Sequence, residues 1–236
     1  MVDYLKAAKI HLEGDGLRII TQNSYGYGDI IRLMAYARGI MWMTSRKVHV
    51  TFVVSSDQQT FQYEKNIHDV LSHYNLITTY DVEIASLQKY AHRYTNLLKK
   101  EFATDVAKWL GYPRLNPKHV SINGDYICVW TPWKNIDPVS EDKMPINKDE
   151  FESFLTSIDN PIKMVDYRMD IGKVFETIRN SKLCLGYEGI GQQIAYHYGK
   201  PLISMSNLVQ VSKNTGGDNS MVTNNIKDIR RFLSVY

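Results

Sequence analysis

Between Ser181 and Ser206 the chain reads SKLCLGYEGIGQQIAYHYGKPLISMS. That order specifies a strand, a glycine loop, a helix and a second strand. Leu183 to Tyr187 is a short apolar run, and Gly186, Glu188, Gly189 and Gly191 then interrupt regular structure. Gln192 to Tyr198 continues as a short helix. Gly199 supplies its stop, Pro201 prevents continuation, and Leu202 to Met205 is a second apolar run. A parallel crossover of this kind aims backbone N–H groups from the helix start, where the dipole favours an anion. In such sheets ligands collect at the carboxyl ends of strands, which is where Glu188 falls. The unit therefore points to a nucleotide or sugar-nucleotide site.

The amino-terminal part repeats this grammar. Leu17 to Gln22 predicts a strand, Asn23 to Gly28 a turn-rich loop, and Asp29 to about Met43 a helix with Ile30, Leu33, Met34, Ala37 and Met41 at helical spacing. Lys47 to Val54 predicts the next strand. Residues 57–75 and 84–110 read as mainly helical, and the breakers between Gly111 and Gly124 place a domain boundary there. Further on, Tyr126 to Trp130 and Ile162 to Tyr167 predict strands. Asn147 to Ile158 and Asp170 to Ser181 predict helices, and Asn224 to Tyr236 an amphipathic one. The expected architecture is α/β: a Rossmann-like lobe over 1–120, a second over 121–223, a helix over 224–236, and a cleft between the lobes.

Composition narrows the function classes. With 236 residues the chain can bury a sizeable core. A net charge of +3 is compatible with an anionic ligand but far from the basic stripe of a dedicated DNA-binding module. Cys128 and Cys184 lie in apolar runs and read as buried reduced thiols, and no Cys/His cluster suggests zinc. The charged start MVDYLKAAKIHLEGDG does not read as a secretory leader, and no apolar run reaches the roughly 18 residues of a membrane span. A cytoplasmic protein without integral membrane association is the expectation.

Two stretches together resemble a known family. They are LRIITQNSYGYGDIIRLMAYAR at residues 17–38, with a Gly-Asp opening a hydrophobic helix, and the region 126–206, with YICVWTPWKN, DKMPINKDEFESFL and GYEGIGQQIAYHYGKPLI. These are similar to the ADP-heptose–dependent heptosyltransferases, a branch of the GT-B glycosyltransferases. Glu188 stands where that family has Asp, Gly189 where it has Ser or Thr, and Gln193 where it has His.

The resemblance implies an inverting, metal-independent transfer of a sugar from a nucleotide-sugar to an acceptor hydroxyl, with no further cofactor. The acceptor is a saccharide or, as in bacteriophage DNA glycosyltransferases of GT-B architecture, a hydroxymethylated DNA base. A catalytically inactive nucleotide- or nucleotide-sugar-binding protein is the alternative, kept open by Gly189 and Gln193. In the resemblance Asp29 corresponds to a general base, and as a residue type it equally suits a helix N-cap. Tyr25, Gly26 and Gly28 form the acceptor-side loop. On the donor side, Glu188 would accept hydrogen bonds from a vicinal diol, and Gly189, Gly191 and Gln192 would open a helix toward a diphosphate. Gln193 either donates to the ligand or covers the helix face. Lys134 and Lys143 would neutralise the diphosphate leaving group. Trp130 could stack on a base or sugar but reads sooner as core, His197 reads as a packed or helix-C-terminal histidine, and Arg230-Arg231 as a solvated face.

Overall fold

The structure is a computed structural model that describes residues 10–13, 16–22, 27–55, 60–85, 113–131, 146–166, 168–187, 189–205 and 220–235. The chain divides into two compact units, Met1–Asn116 and Pro117–Tyr236.

The first unit is built on a four-stranded sheet. Strands β1 (Ile10–Glu13), β2 (Gly16–Gln22), β3 (Val48–Ser55) and β4 (Thr79–Ala85) lie side by side in that order. β1 folds back antiparallel on β2, and β2, β3 and β4 run parallel. Helix α1 (Tyr27–Thr44) carries the chain from β2 to β3, and α2 (Thr60–Leu71) from β3 toward β4. Ile30, Ile31, Met34, Ala35 and Ala37 are all buried, so α1 is apolar around most of its circumference rather than along one stripe. Consecutive residues Val50 to Val54 of β3 are buried as well, as a central parallel strand covered on both faces requires.

A polar row crosses this sheet near the amino ends of its strands. Arg18 Nε donates to Thr51 Oγ1 at 2.8 Å, and its Nη2 lies 3.4 Å from Asp81 Oδ2. His49 Nε2 lies 3.2 Å from Asp81 Oδ1 while its Nδ1 lies 2.8 Å from Thr79 Oγ1. Registers explain the contact, since Arg18 pairs with His49, His49 with Thr79 and Thr51 with Asp81.

The second unit is an all-parallel five-stranded sheet. Its strands are β5 (Ile127–Trp130), β6 (Ile162–Val165), β7 (Leu183–Tyr187), β8 (Leu202–Met205) and β9 (Ser220–Thr223), in the spatial order β9-β8-β7-β5-β6. The chain thus steps from β5 outward to β6, then crosses back over β5 to β7 and continues away. Helices α3 (Lys148–Thr156), α4 (Ile171–Arg179) and α5 (Ile190–His197) make the crossovers, and α6 (Ile226–Leu233) follows β9. Right-handed crossovers that reverse direction put α3 on one face and α4 and α5 on the other. The ring pair Phe175–Tyr198 at 6.4 Å sets α4 beside the end of α5, and the Arg230 guanidinium of α6 lies 5.1 Å above the Phe154 ring of α3. Asn147, Asp170 and Asn225 cap α3, α4 and α6 by accepting backbone N–H bonds in the first turn.

Several boundaries differ from the sequence reading. The helix expected from Asp29 opens at Tyr27, so Gly28 is helical rather than part of a loop. The helical reading of 57–75 ends at Leu71. Ile84 and Ala85, expected to start a helix, instead close strand β4, and the remainder of 86–112 lies outside the described residues. β1, β4 and β9 carry no strand expectation at all. Helix α6 belongs to the second compact unit.

Candidate functional site

The order β6-β5-β7-β8-β9 reverses direction between β5 and β7. In open α/β sheets that reversal leaves a crevice at the carboxyl ends of the two strands, because the flanking helices part to opposite faces. Trp130 ends β5, and Tyr187 ends β7. Gly189 and Ile190 open α5 just beyond the end of β7.

Trp130 organises the crevice. It pairs in register with Gly186, and its indole Nε1–H donates to the Tyr187 carbonyl oxygen at 2.8 Å. The ring lies against two glycines. A Cβ on Gly186 would come within 2.2 Å of Trp130 Cε2, and one on Gly191 within 2.6 Å of Cδ2. Both positions therefore exclude any side chain while the indole stays in place. Trp130 is only 5% exposed, so its reading as core holds. No signal in the sequence ties it to Gly186 and Gly191, which stand 56 and 61 positions further along.

Gly189 behaves differently. Its backbone is extended, with φ 162°, a conformation open to any residue, and a Cβ there would meet only the Tyr187 ring at 3.9 Å. It occupies the cap position of α5 without a side-chain cap. The first-turn N–H groups of an α-helix have no partner within the helix and carry the positive end of its dipole. The start of α5 presents that end at the carboxyl edge of β7.

The glutamines on this helix turn inward. Gln192 Nε2 donates to Ser204 Oγ on β8 at 3.1 Å, and neither Gln192 nor Gln193 exposes more than 1% of its surface. What Gln192 and Gln193 offer a ligand at this end is backbone. His197 is buried against the Tyr196 ring at 5.2 Å, the packed histidine the sequence suggested. Thr131, buried directly after β5, is a hydroxyl at the same strand ends that the sequence reading did not single out.

Behind the crevice a polar cluster closes the unit. Gly199, with φ 67°, ends α5 in a Schellman arrangement in which Lys200 N–H donates to Ala195 O at 2.9 Å and Gly199 N–H to Tyr196 O at 3.0 Å. The buried Lys200 ammonium donates to Ser181 O at 2.5 Å and Ile122 O at 2.7 Å. Burial holds its pKa below the ordinary lysine value, opposed by the nearby Cys184 and Cys128. Those thiols are register partners on β7 and β5 and are both fully buried. The hydrogen bond with Cys184, and then burial, pushes the Cys128 thiol well up. An open groove of about 600 Å³ is lined by Tyr126, Lys163, Met164 and Met169 together with residues of α4.

In the first unit Asp29 is the third residue of α1, so the N-cap alternative does not describe it. It lies in the first turn, where acidic residues are favoured by the dipole. That turn is fastened by Tyr27, whose hydroxyl donates to Asn66 Oδ1 on α2 at 3.0 Å. Tyr25, Gly26, Lys134, Lys143 and Glu188 lie outside the described residues. Among the described residues no group of three or more His, Cys, Asp or Glu could hold a metal ion, and no helix is long and apolar enough to cross a membrane.

Three solved structures align with most of this chain. The glycosyl transferase family 9 protein from Veillonella parvula DSM 2008 is 10% identical, with a TM-score of 0.44 over 95% of this chain and 92% of that one. The bacterial iron-containing dodecameric glycosyltransferase TibC from enterotoxigenic E. coli H10407 is 12% identical, with a TM-score of 0.47 over 80% of this chain and 58% of that one. E. coli heptosyltransferase WaaC with ADP is 10% identical, with a TM-score of 0.48 over 92% of this chain and 99% of that one. No protein-family profile matches the chain. No curated protein sequence matches it either. The mixed α/β architecture with parallel sheets stands on the strand orders and registers themselves.

Proposed function

We propose that the protein is an inverting, metal-independent glycosyltransferase that moves a sugar from a nucleotide-sugar to an acceptor hydroxyl. The observation that carries this reading is the reversal of strand order between β5 and β7, with the start of α5 beside it. A diphosphate suits that place, because the helix start supplies N–H donors and a positive dipole end without a side chain in the way. Glu188 would take the ribose or sugar hydroxyls, and Lys134 and Lys143 would neutralise the leaving group.

Chemistry would proceed in one displacement. The acceptor oxygen attacks the anomeric carbon from the face opposite the diphosphate. The bond from that carbon to the diphosphate oxygen breaks, and the nucleoside diphosphate leaves with the electron pair. Asp29, in the first turn of α1, takes the acceptor proton. Tyr25, Gly26 and Gly28 would receive the acceptor. Orientation and charge stabilisation supply most of the rate in a transfer of this kind.

The test is a panel of nucleotide-sugars, read by release of nucleoside diphosphate, with a saccharide mixture or hydroxymethylated duplex DNA as acceptor. Transfer to either supports the reading. A DNA acceptor would show steep weakening with added salt, which a saccharide would not, and it would need its base extracted from the stack. Tight nucleotide-sugar binding with no release under any condition would leave the inactive binding protein as the answer.

A further inference from the structure

We propose that Trp130 is the positioning residue of the donor site: its indole is the fixed wall that holds the end of β7 and the first turn of α5 in place, and so sets the helix N–H groups on the diphosphate. This rests on the reading of the β5/β7 crevice as a nucleoside-diphosphate site. Trp130 itself is buried and does not touch the ligand; it acts through the segment it holds.

Three observations converge on it. The indole leaves the end of β5 and spans the seam at which the strand order reverses, lying against Gly186 of β7 and Gly191 of α5. One ring thus fixes the separation between the last turn of strand and the first turn of helix. Its Nε1–H bond to Tyr187 O, at 2.8 Å, holds the last carbonyl of β7. Finally, α5 has no side-chain cap at Gly189, so packing must hold its start, and the packing against Gly191 is the Trp130 ring.

The experiment pairs Trp130→Phe, which keeps an aromatic ring but removes the N–H donor, with Gly186→Ala, which keeps the donor but forces the ring aside. Binding of ADP, UDP, GDP and CDP is titrated calorimetrically for the wild type and both variants. Backbone amide exchange is followed across 183–193 without ligand. The expected result is that one nucleoside diphosphate binds the wild type and binds each variant at least tenfold more weakly. Amides of 187–192 should exchange at least tenfold faster in the variants, while Cys184 and Leu185 keep their protection. Unchanged affinity in a folded variant overturns the role of Trp130 alone. Failure of every nucleoside diphosphate to bind the wild type overturns the donor-site reading and this inference with it. Should Trp130→Phe not fold, Gly186→Ala decides by the same two readouts.

Discussion

The ammonium of Lys200 lies 2.5 Å from the carbonyl oxygen of Ser181, joining the residue just beyond the glycine stop of α5 to a residue just ahead of β7. A second bond, to Ile122 O at 2.7 Å, ties in the segment that enters β5, and Ile122 N–H in turn donates to Arg179 O at the end of α4. The crossover that carries the candidate site is therefore closed at its far end by one buried cation on two carbonyls. Pro201, read from the sequence as a stop for the helix, follows this clamp directly.

Lys200→Met keeps the length and apolar stem but strands two carbonyls. The expected loss of stability is about 1–3 kcal/mol, carried mainly by the buried Ser181 carbonyl left without a donor, measured by urea unfolding at pH 7. The sign with pH follows from the lowered pKa. The folded state sheds the Lys200 proton before the unfolded state does, so this site adds stability as pH rises toward 10.5, the ordinary lysine value. That rise should be present in the wild type and missing in Lys200→Met.

Tyr126 supplies the opposite sign at higher pH. Its hydroxyl donates to Thr177 O at 2.8 Å, and burial, followed by the neighbouring thiols and carboxylates, pushes its pKa from 10.0 up to about 12. The folded state holds the proton longer than the unfolded one. Its contribution is thus complete below pH 10 and is lost as pH climbs from 10 to about 12. Tyr126→Phe should flatten that part of the stability profile and lose about 1 kcal/mol at neutral pH. Urea midpoints at intervals from pH 9 to 12 check both.

Legibility in the sequence followed burial. LCLGY and LISM, covered on both faces, read as continuous apolar runs, and β7 and β8 end where those runs end. Among the described residues the unread strands β1, β4 and β9 all lie at sheet edges. TYDVEI alternates polar and apolar residues strictly, a strand signal that the helix expected from residue 84 cut short. The candidate site was legible in outline, since glycines at a strand end announce a tight turn. Their division of labour was not. Gly186 and Gly191 are bare because a ring from β5 lies on them, whereas Gly189 is bare with room to spare. That distinction depends on which strand neighbours β7, and no local pattern encodes the neighbour.

The contrast gives a direct stability test. Gly189→Ser meets only the Tyr187 ring at 3.9 Å and needs no change of backbone, and its hydroxyl can cap α5. A gain of a few tenths of a kcal/mol is expected, in line with Ser over Gly at a cap. Gly186→Ala places its methyl 2.2 Å from a buried indole atom. Overpacking of this kind costs about 1–3 kcal/mol. Thermal unfolding of the two variants side by side should move the midpoints in opposite directions.

Asp29 tests the chemistry itself. Its place in the first turn of α1 follows from a sequence whose next residues, Ile30 and Ile31, are both fully buried and so fix the helix against the sheet. Tyr27 anchors the same turn to α2 through Asn66. Asp29→Asn leaves size and helix position intact and removes only the basic carboxylate. A positioned base contributes about 10²–10⁴-fold to proton transfer. Transfer should fall by that factor while nucleoside diphosphate affinity, a property assigned to the second unit, changes less than twofold. Single-turnover transfer and calorimetric titration on the same preparation separate the two. Retained transfer would remove Asp29 from the mechanism, and a parallel loss of nucleotide affinity would show that its role is structural.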